Sequence, residues 1–249
     1  MNGPTGTLGR LLDESRAAKV AEILLVGVVA GATVAGGWGL VGDRPLARQA
    51  VVWIANVVML SMIWLGLHLR GQTWQHFGLS FRFGGARTLL RTVLQAIVVL
   101  VLALAAFIAG SVLMAGWAAG SEAADMSGYS YLQGNLPMLL LALAGVYVVS
   151  SFGEEVVYRG FLMNRAAEMT TGSNAAWITA VVVSAIVFGF AHIDWGIVGI
   201  VQTTLMGVAL SISYLVVKRN LWVLVLAHAC IDTLLLVQLY LGPAAAEPG

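Results

Sequence analysis

Charge is what this chain has least of. Charged residues fill 10% of its 249 positions against 59% hydrophobic, and the mean hydropathy is +0.90. A water-soluble domain needs more polar surface than that, so a soluble enzyme is excluded. The net charge of +1 provides no basic surface for a nucleic-acid partner. The single cysteine, Cys230, rules out an internal disulfide, and its place inside an apolar run reads as a small buried apolar side chain. No period of roughly 20–50 residues recurs, which excludes a solenoid of tandem repeats. The first residues, 1–18, are polar and carry both signs. They lack a short apolar stretch followed by a small-residue cleavage site, so a removable signal peptide is not expected and the first helix is expected to stay.

What is present is a series of apolar runs, beginning near Lys19, Gln49, Thr92, Pro137, Asn174, Ile197 and Leu221. Each is about 20 residues long, enough to cross the roughly 30 Å of bilayer hydrocarbon. The expected fold is all-α: a polytopic transmembrane helix bundle of about seven helices, with eight as the alternative count. It divides into an N-terminal segment (1–18), a single bundle (19–241) with its polar motifs in 137–240, and a flexible tail (242–249).

Seven spans sort the 13 basic residues unevenly. Arg10, Arg16, Lys19, Arg70, Arg82, Arg87, Arg91, Arg159, Arg165, Lys218 and Arg219 fall on one side, and only Arg44 and Arg48 on the other. The positive-inside rule then puts the N-terminus in the cytoplasm and the tail outside. Residues 70–91 mix Trp74, Phe77, Phe81 and Phe83 with arginines, as a cytoplasmic membrane-surface loop would. Residues 118–135, with Glu122, Asp125, Tyr129 and Tyr131, read as an outer loop with interfacial tyrosines and no chemistry. Gly27, Gly31 and Ala35 recur every four residues, a spacing that allows close helix packing within the bundle.

Against this apolar background stand Glu154, Glu155, His192, His228 and Asp232. Ionisable groups at membrane depth are costly and usually mark a working site. In GEEVVYRG, residues 153–160, helical phase puts Glu155 one turn from Arg159, so the two can pair and leave Glu154 free. The alternative is a purely structural ion pair beside a second glutamate. His192 ends the run from Asn174, where a lone histidine is more often hydrogen-bonded structure than ligand. His228 and Asp232, four apart on one helical face, can orient each other or reach one metal or one water. If the helix from Pro137 continues to about Glu168 and turns at 170–173, the returning helix brings His192 across from Glu154, and it stops short around Asp194-Trp195-Gly196. His228 would lie about 10 Å inside the cytoplasmic end of its own helix, placing the site in the cytoplasmic half of the bundle.

EExxxR (Glu154, Glu155, Arg159), FxxxH (Phe188, His192) and HxxxD (His228, Asp232), in this order over about 80 residues, resemble the CPBP family of intramembrane proteases. This family is also called Abi and includes the type II CAAX prenyl endopeptidase; Gly78-Leu79 is a weaker further match. The resemblance implies that Glu154 is the general base activating water for attack on a peptide carbonyl, with His192 positioning that water or binding a metal. Glu155 and Arg159 would support it, and His228 with residue 232 would stabilise the oxyanion. Asp232 departs from the commoner asparagine, and an ionised aspartate cannot donate to an oxyanion. It can instead orient His228 or help bind a divalent metal such as zinc, so Glu154, His192, His228 and Asp232 form the candidate ligand set, with a metal-free site as the alternative.

The compact HExxH zinc signature is absent. Neither Ser150-Ser151 nor Ser184 has the setting of a serine nucleophile, and no pair of aspartates with a GxGD motif occurs. The leading reading is an intramembrane endopeptidase of a bacterial cell membrane, cutting a membrane protein or peptide at the cytoplasmic leaflet or within the bilayer. The alternatives are a non-catalytic immunity or scaffold protein of the same fold, and a proton-coupled transporter, which would more often show a pseudo-repeat. The sequence sets no oligomeric state.

Overall fold

The computed structural model describes residues 3–80, 84–117, 124–169 and 173–242. Phe81, Arg82, Phe83, Glu122, the turn at 170–172 and the tail 243–249 lie outside these. All the described regular structure is helical: α1 Gly6–Glu14, α2 Arg16–Val41, α3 Pro45–Leu69, α4 Gly85–Trp117, α5 Leu136–Val146, α6 Met163–Met169, α7 Asn174–Phe190, α8 Gly196–Val216 and α9 Leu221–Leu241. A π-helix, Tyr147–Leu162, joins α5 to α6 without a break. Among the described residues, six helices are long and apolar enough to cross a membrane, α5 to α6 counting as one span, Leu136–Met169; α7 is apolar but shorter, at 17 residues. These seven match the seven runs read from the sequence. The polar N-terminal segment adds the short helix α1.

The helix starts follow from local chemistry. The side chains of Ser15, Asn135 and Ser173 accept hydrogen bonds from the backbone N–H groups of Ala18, Met138 and Ala176, satisfying donors that have no partner inside the helix. Pro45 and Pro137 occupy first-turn positions, where a missing N–H costs nothing. Along α4, side chains such as Leu94, Val98, Val101 and Leu113 are exposed, the surface a bilayer would cover.

The two ends of the bundle differ. At one end Arg70 pairs with Glu22 and Arg165 with Glu168 at 2.8 Å, and Lys19 lies 3.8 Å from Glu168. This buried network ties α2 and α3 to α6. The segment after α3 inserts here: Phe77 and Leu79 are fully buried, the Tyr214 hydroxyl donates to the Phe77 carbonyl at 3.0 Å, and the Leu221 N–H reaches the Gly78 carbonyl. It is therefore a plug in the bundle, contrary to the expected surface loop, because its aromatic and leucine side chains find an apolar cleft. At the other end, Leu132, Leu139, Ala142 and Leu236 make a separate small core that docks residues 124–135 onto α5 and α9.

Two smaller expectations fail. Gly27, Gly31 and Ala35 lie on the exposed face of α2, and added Cβ atoms at Gly27 and Gly31 would meet nothing within 4 Å, so that stripe packs no helix of this bundle. Cys230 is exposed rather than buried, because the inward face of α9 is taken by His228, Ala227 and Leu224.

Candidate active site

The π-helix supplies the two glutamates. Such helices are rare, usually a single turn, and often occur at functional sites. Here the backbone at Gly153 is approached so closely by the Asn56 amide of α3 that any Cβ would collide with it.

Glu155 and Arg159 are both fully buried and paired at 2.9 Å, as their spacing predicted. Arg159 also donates to the Gly207 carbonyl of α8 at 3.3 Å, and its guanidinium lies 4.5 Å from the centre of the Phe188 ring. The same Glu155 oxygen that meets Arg159 also meets Nδ1 of His228 at 2.8 Å. Nδ1–H therefore donates to a carboxylate that Arg159 holds in place, which fixes the ring and its tautomer.

His228 Nε2 is then the free face of the imidazole. It stands 3.9 Å from Glu154 Oε2 and 3.6 Å from Asp232 Oδ1. Both distances exceed a hydrogen bond, and a water can reach both groups only from beside the gap. Glu154 Oε2 is buried and has no hydrogen-bond partner among the described residues. Asp232 uses its other oxygen to accept from Ser151 at 2.7 Å, and Ser150 lies against the carboxylates of both Glu154 and Asp232. Ser151 and Ser150 were not picked out from the sequence as site residues. Their spacing of three and four residues before Glu154 was the available signal.

His192 sits just past the end of α7, its Nδ1 2.8 Å from the Phe188 carbonyl. No hydrogen bond or ion pair joins it to Glu154 among the described residues. It approaches the cluster through Phe188, whose ring centre is 4.9 Å from that of His192 and 6.1 Å from that of His228. On its other side Trp195 packs edge-on at 4.7 Å, and Tyr129 packs against Trp195 at 6.5 Å. The Asp125 N–H donates to the Trp195 carbonyl at 3.2 Å. Residues 125–133 thus cover the turn carrying His192, correcting the view that this loop has no bearing on the site. Burial first, and then the charges of Tyr131 and Glu154, push the Tyr129 phenol up to about 12, so it remains a hydrogen-bond donor at neutral pH.

His228 keeps the expected depth, about 10 Å of helical rise from the Leu221 end of α9. His192, past the end of α7, lies towards the end of the bundle that holds residues 125–133, away from Arg70, Arg165 and Arg219. Counting helical rise puts Asp232 about 14 Å from the Leu241 end of α9, close to the middle of the span.

Nδ1 of His228 is committed to Glu155 and Nδ1 of His192 to a backbone carbonyl, the backing a metal-ligating imidazole commonly has, and Nε2 of each ring stays available. Among the described residues no three His, Cys, Asp or Glu side chains are grouped to hold a metal ion. The donor types suit zinc, but as placed they are not gathered closely enough to share one ion.

Residues 136–234 match the family model for type II CAAX prenyl endopeptidase Rce1-like proteins. No curated protein and no solved structure matches the chain. The matched stretch holds every residue of the three motifs, and it supports a CPBP-family intramembrane protease.

Proposed function

With that family segment as premise, we propose that the protein is a multi-pass membrane endopeptidase of the bacterial cell membrane, N-terminus in the cytoplasm, in which Glu154 activates water. One observation carries the reading: a buried Glu154 oxygen without a hydrogen-bond partner lies 3.9 Å from His228 Nε2, and the imidazole is held from behind by a buried ion pair.

In the proposed reaction a water between Glu154 and His228 gives a proton to Glu154 as its oxygen bonds to the scissile carbonyl carbon. The electron pair of the C=O bond moves to oxygen, and His228 Nε2, when protonated, donates to that oxyanion. Collapse of the tetrahedral intermediate breaks the C–N bond, and Glu154 returns its proton to the leaving amine. Asp232 and Ser151 position His228 and the water, while His192 lines the entrance. Asp232 is an acceptor here, in keeping with its inability to donate when ionised. Substrates are membrane-associated polypeptides; the family name makes a prenylated CAAX peptide the first probe.

The test is turnover of quenched-fluorescent peptides, prenylated and unprenylated, by purified protein in detergent. Wild type should cleave at least one, and Glu154→Ala and His228→Ala should lose cleavage while keeping a folded elution profile. Full turnover by both variants would sink the reading.

A further inference from the structure

The residues ahead of the first span form a helix of their own, α1, and this helix is held against the bundle. A Cβ at Gly9 would run into the Leu69 carbonyl at the end of α3, and the Thr5 N–H and hydroxyl both donate to that same carbonyl, at 2.8 and 2.9 Å. The guanidinium of Arg70, buried and paired with Glu22, donates to the Leu12 carbonyl at 3.1 Å. Ser15 is extended and separates α1 from α2, so α1 does not prolong the span. Residues 5–14 are a docked element rather than a loose polar segment.

Helical phase divides α1 into two sides. At about 100° per residue, Leu8, Leu11 and Leu12 share one arc of about 100°, and Thr7, Arg10, Asp13 and Glu14 fill the opposite arc. Gly9 falls at the boundary between Leu12 and Asp13, and along this seam the helix rests on α3. Packing on a seam leaves both sides partly free: Leu12 and Asp13 are half-buried, whereas Leu8 and Leu11 are 54% and 53% exposed.

Two exposed leucines on a nine-residue helix call for a cover, and the neighbouring helix shows which one is at hand. Along α2, Val20, Leu24, Leu25 and Val28 are exposed apolar side chains, a surface that acyl chains cover. Val20, the first of them, lies five residues past Ser15, about 7.5 Å along the axis. That offset puts α1 at the headgroup and acyl boundary, where amphipathic helices lie in the plane of the membrane. Arg10 and Arg16 are offset by Asp13 and Glu14, so apolar area, not attraction to anionic headgroups, would hold the helix there.

We infer that α1 is an interfacial helix lying along the membrane surface, its Leu8, Leu11 and Leu12 stripe seated at the acyl boundary and its Arg10, Asp13 and Glu14 side in water, so that the partner of this surface is the lipid bilayer itself. The inference does not rest on the peptidase reading. It does reach the scaffold of the site: Glu22, which binds Arg70, also lies 3.6 Å from Arg165 of α6, and α6 continues from the π-helix that carries Glu154.

The experiment is spin-label accessibility in the full chain, with Cys230→Ser as background, in vesicles of phosphatidylcholine alone. Leu8→Cys, Leu11→Cys, Arg10→Cys and Glu14→Cys are labelled one at a time; all four positions are exposed and can carry a label. Leu24→Cys on α2 calibrates a lipid-facing site. Collision with oxygen, which concentrates in lipid, is compared with collision with a water-soluble nickel chelate present on both sides of the vesicle. The oxygen-to-nickel ratio at positions 8 and 11 should be several-fold higher than at 10 and 14 and should approach that at 24. Equal, water-like ratios at all four α1 positions would overturn the inference by placing the helix in solvent. Low collision with both reagents at 8 and 11 would overturn it too, since burial against a second copy or a soluble protein gives that result. If one leucine variant does not accumulate, the other carries the test.

Discussion

At the residue scale, adjacent glutamates have opposite duties. Glu155 is enclosed and binds Arg159 and His228 with one oxygen, whereas Glu154 is partly exposed and faces only the outer nitrogen of His228, at 3.9 Å. Glu155→Gln removes the counter-charge of a buried arginine, a loss of about 3–5 kcal/mol, and should lower the unfolding temperature in detergent markedly. Glu154→Gln should leave that temperature nearly unchanged while cutting turnover about 100- to 10 000-fold, the range for losing a general base. Comparing melting curves and rates of the two variants separates the roles. Because the donors form no metal cage, a zinc chelator should leave wild-type cleavage intact; loss on chelation with recovery on adding zinc would contradict this. The Glu155–Arg159 pair was legible from four-residue spacing. The bond from Glu155 to His228 was not, since 73 residues separate them and only packing of α9 on the π-helix brings them together.

At the element scale, the site depends on backbones that approach closely. Gly78 has φ +82°, and a Cβ there would run into the Arg219 carbonyl in the turn before α9. That turn itself holds Lys218 and Arg219 at φ 57° and 60°, conformations that cost non-glycine residues about 1–3 kcal/mol each when held by their surroundings. Gly78→Ala should destabilise the protein by at least about 1 kcal/mol, read as a lower unfolding temperature, and should reduce turnover by loosening α9 and His228. An unchanged melting curve would count against the plug. The helix runs and their caps were readable, because apolar length and Ser or Asn before a helix are local signals. The π-helix was not readable, since apolar length and caps are the same signals for either helix type, and the plug was hidden because Phe77 and Leu79 look the same at a membrane surface as in a cleft.

At the scale of the whole molecule, an apolar bundle carries two polar clusters, the Glu155–Arg159–His228 group inside it and the Arg70–Glu22–Arg165–Glu168 network at one end. Composition alone made the bundle legible, and three motifs singled out Glu154, Glu155, Arg159, His228 and Asp232, which the fold brings together. The distance of His228 from the end of α9 was readable by counting along the helix, whereas the place of His192 was not, because α7 stops early and residues 125–133 fold over its end. The central claim is that Glu154 and His228 act on the same water. Its most direct measurement is a double-mutant comparison of turnover for wild type, Glu154→Gln, His228→Ala and the double variant. Groups that work as a unit are strongly non-additive, so the double variant should be barely slower than the slower single variant. Losses that multiply in the double variant would show that the two residues act independently and would contradict the account.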